Sequence, residues 1–274
     1  MNHYIKLVNF EVKRFSKFFL SLIVAVVVTQ IIGAIVTSLH YVNNAERTML
    51  LEQMPVSEYI LNYGAYSLQN FLFTEYFILS IVFAAAVLMI YVFFIWYRDW
   101  LGKSSIIYRL LMLPTARLNV YFAKFTTILL FVFGLLGMQI FLLEVVKLII
   151  RSIVPEQLHL DQNIIFIYSS EVLEILYPNS PLQFIFYYGL GAALVAIIFT
   201  AILFERSYQL KGIFFALIFT VISVIIIFIP VIIQEITNYF YLNEIILMTI
   251  VSSILAIALA VYLAGHLLKR KINV

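Results

Sequence analysis

Cysteine is absent from the 274 residues, which excludes disulfides, thiolate catalysis and Cys-based metal sites and leaves the redox compartment open. Charge is scarce: Asp, Glu, Lys and Arg make up 11% of the chain, too little to clothe a water-soluble protein of this length. The four histidines, His3, His40, His159 and His266, are scattered, and none stands at metal-ligand spacing. Neither an HExxH nor a GxSxG string occurs, so no metal-assisted or nucleophilic hydrolysis is indicated. Gly102-Lys103-Ser104 has the ending of a phosphate-cradling loop, but the glycine required five residues earlier is Tyr97. The chain is therefore not expected to be an enzyme or to bind a cofactor or metal of its own.

Apolar sequence is plentiful, at 64% of residues with a mean hydropathy of +1.07. It gathers into six runs, at 18–39, 71–96, 125–150, 182–204, 213–234 and 245–268. Each holds about twenty or more residues, enough to cross a hydrocarbon core of ~30 Å. The first run is too long for the apolar segment of a cleaved signal and is read as a true span. No polar stretch is long enough for a separate soluble domain. The fold class expected is an all-α integral membrane protein, one transmembrane domain over residues 1–274.

The ends of these runs differ in charge. Fourteen of the seventeen Lys and Arg residues fall on one side, which also holds the two termini and the segments after the second and fourth runs. Arg47, Lys147 and Arg151 fall on the other, with eleven of the fourteen acidic residues. By the positive-inside rule both termini are cytoplasmic; the protein is expected to be a multi-pass protein of the cell membrane, bacterial in character. Residues 1–17 read as an interfacial helix, with Tyr4, Val8, Val12 and Phe15 at helical spacing among Lys6, Lys13, Arg14 and Lys17. The outer connections 40–70 and 151–181 read as polar loops, the second with a short helix over Ile164–Leu176.

Two places carry candidate functional residues. Glu144 and Lys147, three apart near the outer end of the third run, share a helix face. So do Glu171 and Glu174. Charges this near a membrane boundary either snorkel and pair or mark a pathway or gate. The other place is the basic connection Tyr97–Lys124, where Arg98, Lys103, Arg109, Arg117 and Lys124 face a lone acid, Asp99. Ser104–Leu113 reads as a short helix that Pro114 stops. No run centre holds a series of ionisable residues, so a self-powered carrier is not indicated.

The string WYRDWLGKSSIIYRLLMLPTARLNVYFAKF, with the basic N-terminal segment and six spans, resembles the membrane subunit of an ABC transporter of the type-2 permease family. The resemblance covers nearly the whole chain. It implies that Ser104–Leu113 is a coupling helix and that Arg98, Asp99, Lys103, Tyr108, Arg109, Leu110, Pro114 and Arg117 form the dock for a separate ATPase. It also implies a second permease chain, identical or related, and two ATPase copies that bind the ATP and Mg. No nucleic-acid partner is implied. The cargo class implied is peptides, antibiotics or other amphipathic compounds, exported. Many family members carry a sizeable element between spans five and six, whereas the connection here, Glu235–Glu244, is short. The alternative reading is a non-transporting membrane scaffold or sensor that binds a cytoplasmic partner.

Overall fold

The computed structural model describes residues 3–100, 107, 110, 112, 116–160 and 171–270. Nine helices occur among them: α1 His3–Glu52, α2 Val56–Tyr63, α3 Leu68–Leu72, α4 Glu75–Trp100, α5 Leu118–Ile153, α6 Glu171–Leu176, α7 Pro181–Tyr208, α8 Leu210–Thr237 and α9 Leu242–Arg270. Six of them, α1, α4, α5, α7, α8 and α9, are long and apolar enough to cross a membrane. There is no strand among the described residues, and the only backbone bridge there pairs Tyr66 with His159. The all-α, six-span expectation is met at that level.

The ends of the helices differ from the sequence reading. The 50 residues of α1 span about 75 Å at 1.5 Å per residue. No break at Lys17 separates an interfacial helix from the first span. The cause lies in the sequence: neither Gly nor Pro occurs before Gly33, so nothing interrupts the hydrogen-bond ladder. The face that α1 buries near its start is Leu7, Glu11 and Phe15, while Val8 and Val12 are half-buried.

The second span begins at Glu75 rather than Phe71. Ser67 caps α3 in a reciprocal box with Asn70, and the Ser67 N–H donates to Asn70 Oδ1 at 2.9 Å. The Thr74 hydroxyl then donates to the Phe71 carbonyl at 2.7 Å, which diverts the backbone at the break. Between α7 and α8 the expected loop Glu205–Gly212 shrinks to one residue, Gln209, at φ 55°. A Cβ on Gly212 would lie 2.2 Å from the Phe204 carbonyl oxygen, so only glycine fits this close return.

The chain divides into two compact units. The first comprises Met1–Ser16, Leu88–Phe131 and Pro178–Val274. Its core is the junction of α7, α8 and α9, built on Ala193, Ala196, Ile197, Phe219, Ile227, Ala256 and Ala260. Small side chains let helix backbones approach closely where lipid supplies no hydrophobic drive. Pro230 lies inside α8, and Ser252 donates to the nearby Ile227 carbonyl at 3.1 Å.

The second unit comprises Lys17–Val87 and Val132–Tyr177. Here a Cβ on Gly33 of α1 would stand 2.4 Å from Tyr76 Cβ of α4, so glycine permits that crossing. The expected polar loop 40–70 is largely helix and packed. Tyr59, Tyr66, Leu68, Phe71, Leu72, Leu158 and Leu173 are buried there. Tyr66 N–H donates to Leu158 O at 2.9 Å and Leu160 N–H to Tyr66 O at 3.0 Å, tying the segment before α3 to the segment after α5. Of the expected helix Ile164–Leu176, α6 supplies Glu171–Leu176; residues 164–170 lie outside the described residues.

Candidate functional site

Three helices bring five charged side chains together in the first unit, beside the segment that follows α4. Glu11 and Arg14 come from α1, Arg98 and Asp99 from the last turn of α4, and Lys124 from the second turn of α5. Glu11, Asp99 and Lys124 are 2%, 1% and 0% exposed, so their charges must be met from within. The Lys124 ammonium donates to Glu11 Oε1 at 2.7 Å, Asp99 Oδ2 at 2.5 Å and the Ile95 carbonyl at 3.0 Å. Its three donors are thereby spent. Arg14 Nη1 donates to Asp99 Oδ1 at 2.7 Å, and Arg98 Nη2 to Glu11 Oε2 at 2.8 Å. All four carboxylate oxygens accept from a cation. Trp96 lies with its ring 5.3 Å from the Lys124 ammonium, and such contacts strengthen when desolvated.

This closure explains how charge survives buried among the ends of long apolar helices. A buried ion pair returns its desolvation cost only with short contacts and satisfied remaining polar groups. The network joins α1 to α4 and α5 at the root of residues 101–116. A second polar contact lies nearby in the same unit. Tyr97 donates to the Glu205 carboxylate, and the Arg206 guanidinium stands 4.9 Å over the Tyr97 ring and 5.8 Å over Trp100. Arg117 Nη1 donates to the Leu268 carbonyl at 2.6 Å, near the C-terminus of α9, where cations suit the helix dipole.

The expected docking residues thus divide. Arg98 and Asp99 belong to the buried network, and the Asp99 carboxylate faces Arg14 and Lys124 rather than a docking surface. Leu110 is buried and Arg117 half-buried. Lys103, Tyr108, Arg109 and Pro114 lie outside the described residues. The sequence reading missed Glu11 and left Lys124 out of its site. The available signal was an acid three residues before Arg14 inside a basic segment, and a lysine directly before an apolar run.

The second unit holds a neutral counterpart. Gln30 of α1 and Gln139 of α5 exchange reciprocal amide hydrogen bonds of 3.0 and 2.9 Å, and Gln30 Nε2 donates to Ser80 Oγ of α4 at 2.8 Å. The Ser80 hydroxyl in turn donates to the Phe77 carbonyl at 2.7 Å. All three polar side chains are buried. Glu144 is exposed and Lys147 half-buried, and no salt bridge joins them among those found in the described residues. Glu174 lies half-buried on α6, the helix that also carries Glu171.

No group of three or more potential metal ligands occurs among the described residues. Within the first unit a crevice of about 590 Å³ opens among Ser180, Leu182, Tyr239, Phe240, Glu244 and Met248, a volume in the range of small-molecule sites. Glu244 Oε2 accepts from the Tyr241 N–H at 3.0 Å, so this carboxylate also caps α9. Comparison with protein-family models, with curated proteins and with solved structures finds no match.

Proposed function

We propose that this chain is the membrane subunit of a transporter of the ABC type-2 permease kind, driven by a separate ATPase that docks on the 97–124 segment. The observation that carries this reading is the buried network of Glu11, Arg14, Arg98, Asp99 and Lys124. A segment that receives force from a motor needs a stiff root. Here that root is tied to three helices by short charge-assisted hydrogen bonds. A push on residues 101–116 would pass to α1, α4 and α5 together instead of being lost in one flexible loop.

The charge asymmetry between the two ends of the apolar runs supports placing both termini and this segment on the cytoplasmic face. The amide contacts inside the spans are neutral and self-satisfied, which favours an external energy source over proton coupling. Export of a small amphipathic compound suits the 590 Å³ crevice with its aromatic rim and single carboxylate. The partner ATPase would bind ATP and Mg, and a second permease chain would complete the path.

The test is affinity purification of the tagged full chain in mild detergent, with mass spectrometry of what accompanies it. A P-loop ATPase at stoichiometric level is the expected result. Its absence, with candidate ATPases co-expressed, would overturn the reading and leave the scaffold alternative. A stoichiometric ATPase with no ATP-dependent flux in vesicles would also favour the scaffold.

A further inference from the structure

We propose that the ion network is a binding site for an anionic phospholipid, whose phosphate docks on the free guanidinium edges of Arg14 and Arg98 while its acyl chains lie along Phe10 and Phe94. The inference rests on the chain being in a membrane and not on its pairing with an ATPase.

The first argument is charge. The network holds three cations and two carboxylates, so it is one negative charge short. A surplus charge beside a low-dielectric core is costly unless something pairs with it. The second argument is donors. A guanidinium carries five N–H donors in a planar fork. Arg14 and Arg98 each engage one nitrogen at hydrogen-bond distance, and every carboxylate oxygen is already taken. The side chains of Arg14 and Arg98 are 19% and 17% exposed, whereas Lys124 is enclosed, so an incoming anion meets the two arginines. A phosphodiester supplies one negative charge and the paired oxygens that suit this fork.

The third argument is place. Each arginine stands over a surface aromatic ring: Arg14 lies 5.0 Å from the Phe10 centroid and Arg98 6.0 Å from that of Phe94. Phe10 and Phe94 are 39% and 47% exposed. A cation flanked by an exposed apolar ring matches a lipid, with head group on one and chain on the other. The level also fits, because Trp96 ends one apolar run and Phe125 begins another beside Lys124. Lys6 and Lys13, exposed on α1, add attraction for an acidic surface.

Full-length protein in nanodiscs of phosphatidylcholine, with and without phosphatidylglycerol, tests this by native mass spectrometry of retained lipid and by thermal unfolding. Wild type should retain phosphatidylglycerol preferentially and unfold at a higher temperature with it. R14Q and R98Q each bring the network to neutrality and should each lower that preference about fivefold. K211Q, which removes an exposed cation elsewhere on the Lys/Arg-rich side, should not. E11Q raises the surplus, so it should strengthen the preference even while lowering the midpoint in phosphatidylcholine. A merely structural role would shift both lipids equally. The proposal is overturned if R14Q and R98Q keep the wild-type preference. It is also overturned if millimolar inorganic phosphate in phosphatidylcholine discs reproduces the whole midpoint rise, which would make the ligand a free anion. If E11Q does not fold, the arginine variants decide.

Discussion

The same three helices, α1, α4 and α5, are joined twice, by opposite chemistry. In the first unit the joint is ionic, with Lys124 at its centre and Glu11 and Asp99 against it. In the second unit it is neutral, a Gln30–Gln139 amide pair with Ser80 attached. The amide joint satisfies itself and asks nothing of its surroundings. The ionic joint is strong only while every partner is present, because each buried charge depends on the others. A neutral clamp suits a region that holds its shape. An ionic joint with a charge left over suits a region that reports what binds beside it.

The largest expected effect follows from that asymmetry. Lys124→Met leaves two buried carboxylates facing each other with one arginine each. Breaking a buried ion pair from one side costs about 3–5 kcal/mol, so the variant should unfold far more readily in detergent. The triple variant E11Q/D99N/K124M removes the buried charges together and should recover most of the loss, since Arg14 and Arg98 can turn toward water. A triple variant as unstable as Lys124→Met would mean that packing of the lysine stem, not charge, holds the joint.

A smaller effect belongs to the second unit. Gly33→Ala places a Cβ 2.4 Å from Tyr76 Cβ, and the α1–α4 crossing must open to admit it. Overpacking of this kind costs about 1–3 kcal/mol. Thermal unfolding measures it, and Gly33→Ala with Tyr76→Ala should not restore the wild-type midpoint, because the contact atom is the Tyr76 Cβ that alanine keeps.

Much of this fold was legible because a bilayer imposes length and apolarity on each span. The six runs, read from Phe18 to Leu268, correspond to the six long helices. Their ends were less legible for local reasons. Continuing α1 past Lys17 depends on the absence of Gly and Pro before Gly33, which hydropathy does not weigh. The stop at Phe73 depends on hydroxyl contacts of Ser67 and Thr74. The packing of residues 40–70 depends on Tyr66 meeting Leu158, ninety-two positions later, which no local pattern encodes. The candidate site was half legible. The basic segment stood out, but Arg98 and Asp99 were read as part of an ATPase dock. A single sequence does not show that Glu11, eighty-eight positions before Asp99, shares its lysine. Gln30 and Gln139 escaped notice because uncharged amides leave apolar runs apolar.

The amide joint supplies the smallest effect and the sharpest contrast. Gln139→Leu leaves the Gln30 amide without its reciprocal partner, though Ser80 still accepts from Nε2. Interhelical hydrogen bonds in membranes are worth roughly 0.6–2 kcal/mol, so the single variant should lower stability by an amount in that range. Gln30→Leu should do the same and also release Ser80, which falls back on the Phe77 carbonyl. Replacing both partners by apolar groups of similar shape is nearly neutral in principle, because no buried donor or acceptor is then left unmade. The double variant should therefore be no less stable than either single variant, a coupling read from a thermodynamic cycle of the four proteins. Strictly additive losses would show that the two amides act separately and that the neutral joint is not a closed pair. The ionic joint should behave differently: the triple variant regains stability but gives up the charge-assisted hydrogen bonds that tie α1, α4 and α5 together at the root of residues 101–116.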